Sequence, residues 1–175
     1  IAGFIGCKVN SVKETVWFDP AQQVDIQHVR PTYDANNVWW KRVQDVTRAA
    51  ILRFGNAVSI SHTDLGGNLD IVASLRTTEQ LLFEVHDAPD QVERVVNEVT
   101  QLWLRYYREL EGMIKPVGRG TTPWAAIWSP KRCYMLQCDF AYMISPQMFE
   151  RFVMPDLAAC CDYLDHGFYH LDGKG

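Results

Sequence analysis

Cys133-Tyr134-Met135-Leu136-Gln137-Cys138-Asp139-Phe140-Ala141-Tyr142 is the stretch that decides the fold class. Cys133 to Gln137 is short and apolar on both faces, the pattern of a strand covered on both sides. An acid, Asp139, follows it, and Ser145-Pro146 then supplies an N-cap and an N1 proline for a helix running to about Asp165, bent at Pro155. Gly167 to Asp172 reads as another strand. A strand, a helical crossover and a second strand specify parallel pairing, and so an α/β fold.

Working upstream, Val92, Val95, Val96, Val99, Leu102, Trp103, Tyr106 and Leu110 form one apolar helical stripe, which predicts a long helix ending near Gly112. Shorter helices are expected over 69–75 and from Thr77, where Thr77 and Gln80 have capping-box spacing. Asp34-Ala35-Asn36-Asn37 opens a further helix carrying Trp39, Val43, Val46 and Ala50, with Gly55 at its C′ position. Ala57 to Ser61 reads as a strand. Residues 7–33 are polar and irregular, with Thr15-Val16-Trp17-Phe18 their strand-like run. Both ends of the chain read as cut through structured segments, so the whole is one domain continuing beyond them.

Parallel α/β folds gather their functional groups beyond the carboxyl ends of the strands. The first such end is Ser61-His62-Thr63-Asp64-Leu65-Gly66-Gly67-Asn68-Leu69-Asp70, where His62, Asp64 and Asp70 flank a Gly66-Gly67 turn that lets backbone approach a ligand. The same residues also suit a helix start, with Asp64 or Asn68 as cap. The second end carries Asp139 with Tyr142 as a pocket wall; an acid there is either a substrate contact or satisfied by backbone amides. At the third, His170 and Asp172 stand two apart on one face of a strand. They suit an acid–base pair, two ligands of one metal ion, or an interior hydrogen-bonded pair. The glycine- and proline-rich loop between Pro116 and Pro130 carries Trp124 and Trp128, as covering loops do and flexible linkers do not.

Composition narrows the field. The 175 residues are 47% hydrophobic and 22% charged, a globular profile, and the net charge of -4 offers no basic field for nucleic acid or an anionic membrane. Five cysteines without a CxxC pair suggest neither a disulfide framework nor a zinc finger, but a reducing, cytoplasmic setting. No apolar run of membrane-spanning length occurs. Dinucleotide, P-loop, zincin and serine-hydrolase motifs are absent.

Taken together, Gly66-Gly67-Asn68-Leu69-Asp70, Leu75-Arg76-Thr77-Thr78-Glu79-Gln80-Leu81-Leu82 and Asp87-Ala88-Pro89-Asp90-Gln91-Val92 resemble the uroporphyrinogen decarboxylase superfamily. So do Gln137-Cys138-Asp139, Ser145-Pro146-Gln147-Met148-Phe149 and Phe152-Val153-Met154-Pro155. The resemblance covers about two thirds of the chain, from Ser59 onward. It implies a (βα)8 TIM barrel of which this chain holds the middle part. Tyr169-His170-Leu171-Asp172-Gly173 stands where the corrinoid-linked methyltransferases of the superfamily carry a His-x-Cys-Gly zinc motif, with Asp172 in place of the cysteine.

The resemblance implies methyl transfer between a small-molecule substrate and a corrinoid protein, with zinc at His170 and Asp172 as the cofactor to be tested. The catalytic candidates are Asp64, Asp70, Asp139, His170 and Asp172; the substrate-contact candidates are His62, Gly66, Gly67, Trp124, Trp128 and Tyr142. The alternative is a carboxy-lyase acting on an acidic pyrrole, and a third class is a barrel that binds a ligand without turnover. Homo-oligomerisation is left open by the sequence.

Overall fold

A computed structural model describes residues 1–171. Its centre is α4 (Pro89–Ile114), started by a proline at its first turn. The expected stripe is there, and Leu104, Tyr107 and Ile114 are buried with it, so α4 is covered on more than one face. The helix continues through Gly112. The cost of a mid-helix glycine, about 1 kcal/mol, is outweighed by burying Leu110 and Ile114 on either side of it.

Ahead of α4 lie α1 (Val38–Phe54), α2 (Asn68–Arg76) and α3 (Thr78–Asp87). The Asn37 side chain accepts from the Trp39 and Trp40 amides and caps α1. Gly55 ends it in right-handed rather than left-handed geometry, a simple unwinding in place of the expected C′ turn. Thr77 closes α2 and opens α3 at φ 80°, which is rare for a β-branched residue. Two bonds compensate: its N–H donates to the Ala73 carbonyl at 2.7 Å, and its hydroxyl accepts from Gln80 N at 3.2 Å. The reciprocal half of the capping box is missing, because the Gln80 amide donates to Glu84 instead.

Segment 7–33 contains more order than its composition suggests. The expected strand is β2 (Val16–Asp19), and it pairs antiparallel with β1 (Lys8–Ser11). The loop after it is held by arginines from two helices: Arg94 donates to the Ile26 and Val29 carbonyls at 2.9 and 3.0 Å, and Arg76 to Val24. Arg76 also grips Glu84 bidentately, and both side chains are buried.

After α4 a long loop, pinned by a bridge between Thr121 and Ser129, leads to β3 (Cys133–Gln137). Next come a short 3-10 turn (Asp139–Met143), α5 (Pro146–Phe152), α6 (Met154–Tyr163) and β4 (His166–His170). Ser145 caps α5, as its Ser-Pro start implies, and the expected bend near Pro155 is a full break at Val153. β3 and β4 are parallel, with Gln137 opposite His170.

The architecture is therefore mixed α/β. The Ala57–Ser61 strand does not form. Its Ser59 hydroxyl donates to the Arg119 carbonyl, and His62 N–H to Thr122 is the backbone bond it makes to the covering loop, so no ladder develops. The described strands make two separate two-stranded sheets and close no barrel. Among the described residues no strand covers the outer edge of β4, and Phe168 and Tyr169 stand exposed there. No helix among them is long and apolar enough to cross a membrane.

The buried Arg76–Glu84 pair gives a direct test of the packing. Removing one partner leaves a buried charge, so Glu84→Ala is expected to lower the unfolding free energy by about 3–5 kcal/mol in urea denaturation. A loss under about 1 kcal/mol would mean that the pair is open to water.

Candidate active site

The carboxyl ends of β3 and β4 lie side by side because Gln137 and His170 are in register. The Gly66-Gly67 turn is brought to the same place. Gly66 adopts φ 80°, and a Cβ on Gly67 would collide with the Gln137 carbonyl and the Asp70 carboxylate. The two glycines thus serve different needs, a left-handed turn and a close approach to the end of β3. Asp64 forms the inner bond of that turn, accepting from Gly66 N at 2.8 Å, and is otherwise exposed. The Tyr134 hydroxyl receives Leu65 N–H at 2.7 Å from below.

Asp70, in the first turn of α2, reaches across to β3 and accepts the amides of Asp139 (3.1 Å) and Phe140 (2.8 Å). Burial pushes its pKa up to about 6, with the two amide bonds pulling the other way. Asp139 itself is exposed. Tyr169 is raised to about 12, first by burial and then by Cys138, Asp70, Asp156 and Asp139.

One member of this group was not foreseen. Asp156, in the first turn of α6, is 5% exposed, and its Oδ1 makes no hydrogen bond. Burial raises its pKa to about 7, and Asp70 adds to the rise, whereas the Leu157 amide and the adjacent Asn68 side chain oppose it. Asn68 is anchored by donating to Thr100 Oγ1 at 2.9 Å, and its own carbonyl oxygen is also unpaired. In sequence Asp156 resembles any acid after Pro155 at a helix start; its burial follows from the break at Val153, which turns the first turn of α6 inward.

The other candidates divide. Trp124 joins the strand ends: its indole N–H donates to the Met135 carbonyl at 3.0 Å, and its ring stands edge-on to His170 at 5.6 Å. Trp128 does not; it donates to the Arg119 carbonyl at 2.7 Å and packs on Gly120. Tyr142 is 67% exposed and walls nothing among the described residues. His62 is buried in the core, stacked on Tyr107 at 4.5 Å, and borders a different cleft at the amino ends of β3 and β4. Asp172 lies outside the described residues. Among those described, no group of three or more His, Cys, Asp or Glu side chains could hold a metal ion.

What the site offers chemically is a half-buried carboxyl, Asp70, and a buried one, Asp156, both with raised pKa values, on the strand ends that also carry His170 and Trp124. That arrangement suits proton donation to, or removal from, a small molecule.

No family model and no curated protein matches the chain. A solved structure that it resembles is a methyltransferase from Methanosarcina mazei, with a TM-score of 0.68 at 14% identity over 98% of this chain. The chain spans 48% of that structure's length, and the likeness is one of fold.

The pKa of Asp156 fixes a sign for stability. The unfolded chain releases this proton near its ordinary 3.8, whereas the folded chain holds it up to about 7. The folded state therefore loses stability as pH rises through that window. Asp156→Asn is expected to flatten the fall measured by urea midpoints between about pH 4 and 7, leaving the smaller part due to Asp70. An unchanged slope would place the carboxyl in water.

Proposed function

We propose that this chain is the middle part of a (βα)8 barrel of the uroporphyrinogen decarboxylase type, whose activity is methyl transfer between a small molecule and a corrinoid protein. The observation that carries the reading is the likeness of 98% of the chain to a methyltransferase. The site supports it, because the protonatable carboxyls and His170 stand at the carboxyl ends of parallel strands, where such folds keep their chemistry. The exposed outer edge of β4 is where the next barrel strand would pair.

In this reading Asp70 is the acid that protonates the leaving atom as the methyl group departs, and Asp156 behind it keeps the surroundings free of a second fixed charge. Trp124 and His170 flank the small molecule. Of the zinc ligands expected, His170 alone is among the described residues; the donors described do not complete a zinc site, and no step is routed through a metal. The lyase alternative needs arginines against substrate carboxylates. Arg76, Arg94 and Arg151 pair with Glu84, Glu98 and Asp90, and their described contacts are to the loop after β2 and to α3 and α4 rather than to Asp70 or Asp156.

The test is methyl transfer from methylcobalamin to a panel of small thiols and amines, followed by the visible spectrum of the cobalamin. Acceptor-dependent demethylation is expected. With the methylated forms of the same thiols and amines as methyl donors to reduced cobalamin, the Asp70-dependent rate, in which the departing thiol or amine takes up the proton, should fall as pH rises through about 6, because the acid form is required. Asp70→Asn should cost at least about tenfold in kcat and abolish that limb. Carbon dioxide release from uroporphyrinogen without methyl transfer would instead establish the lyase.

A further inference from the structure

The outer face of α1 is apolar and basic at once. Val38, Arg42, Val46, Ala49 and Arg53 follow one another at three- and four-residue spacing, on the side away from the buried Trp40 and Thr47. Val38 is 70% exposed, Val46 60% and, beside them, Leu52 88%. Single exposed aliphatic residues are ordinary, but a stripe of them rimmed by charge is how interaction faces are built. Lys41, Arg42, Arg48 and Arg53 stand against Asp45, a net +3 on one helix of a chain whose total is -4. Asp45 pairs with Arg48 at 2.9 Å and Lys41 donates to Asn36. Arg42 makes no ion pair or hydrogen bond among the described residues, and Arg53 lies over the ring of its neighbour Phe54.

The complement is on the same chain. On α3, Glu79, Phe83 and Asp87 stand four residues apart, on the side away from the buried Leu81 and Val85, and Phe83 is 60% exposed. With Asp25 they line a groove of about 630 Å³. The cation in that groove, Arg76, is held by Glu84, whereas Glu79 and Asp87 make no ion pair among the described residues. Glu79 and Asp87 lie about 12 Å apart along α3, and Arg42 and Arg53 about 16 Å apart along α1, a difference within the reach of two arginine side chains. Phe83 then falls midway, against Val46 and the small Ala49. Two α1 faces cannot cover each other, because that would set +3 against +3.

We propose that this chain associates with a second copy of itself through α1 of one molecule and α3 of the other. Arg42 and Arg53 meet Glu79 and Asp87, and Phe83 seats between Val46 and Ala49. Each molecule offers one basic and one acidic face, so charge sets the register and excludes the α1-to-α1 pairing, while the apolar centre carries the affinity. The contact uses neither end of the strand pair and does not depend on methyl transfer.

Sedimentation equilibrium over a range of protein concentrations reads the association. A mass above that of the monomer is expected at about 0.05 M salt, with the dissociation constant rising at least about tenfold at about 0.5 M salt, where exposed charges are screened. Arg42→Glu with Arg53→Glu should return the protein to monomer, and so should Glu79→Arg with Asp87→Arg. All four changes together should restore assembly. Phe83→Ala keeps every charge and should weaken association at least about tenfold. The five positions are exposed, so the far-ultraviolet circular dichroism of the variants should match that of the parent. A monomer at every concentration overturns the proposal. So does association indifferent to the reversals, as pairing through the open edge of β4 would be, or failure of the four-residue exchange to restore it.

Discussion

Burial of the aromatic face of α4 is the interaction on which the other elements depend. Tyr106 gathers Phe4, Tyr33 and Trp40 at ring distances of 5.2, 5.3 and 4.8 Å, which fixes the amino-terminal segment and α1. One residue on, Tyr107 turns about 100° round the helix to meet His62, Trp103, Tyr134 and Tyr163. Through it β3, α6 and the segment carrying His62 are placed. Two adjacent tyrosines thus organise the two sides of the molecule, and the strand ends that carry the candidate site take their positions from the second.

That double role also marks the limit of what pattern reading recovers. The stripe on α4 was legible because its apolar residues recur at helical spacing, and so were α2, β3 and the Ser145-Pro146 start, whereas the bend expected at Pro155 is a break into two helices at Val153. Tyr107 falls off the stripe, and a tyrosine there reads as amphipathic surface. The Ala57–Ser61 run has the composition of a strand, yet pairing is a property of neighbours, and its described neighbour is the irregular loop at Thr122. β1 was missed for the converse reason: Lys8-Val9-Asn10-Ser11 is polar, and its partner β2 makes it a strand.

The candidate site was legible in part. Asp70 was singled out beside the Gly66-Gly67 turn, and the structure joins these residues in one contact, since Gly67 must lack a side chain for the Asp70 carboxylate to reach the amides after β3. A structural clamp and a chemical group are here the same atoms. Its two backbone bonds favour the ionised form, and desolvation still prevails, leaving a carboxyl that changes protonation near pH 6. Asp156 was invisible because only the three-dimensional packing of α2, α4 and α6 deprives it of water.

Helix dipoles account for the contrast between the two ends of the strand pair. Asp70 and Asp156 both stand in first turns, where the positive end of a helix favours an acid, and Lys115 stands where α4 ends. Helix starts thus bring Asp70 and Asp156 to the carboxyl end of the strand pair, whereas its amino end mixes Lys115, Lys131 and Arg132 with Glu111 and Asp165. The dipole alone, at about 0.3–1 kcal/mol for each charge, would lower the two pKa values. Both are raised, first by burial and then by the neighbouring acids, against the hydrogen bonds that favour the ionised forms. The protons on these carboxyls consequently respond to whatever enters or leaves the space around them: a ligand that excludes more water raises their pKa further, and one that brings a cation lowers it.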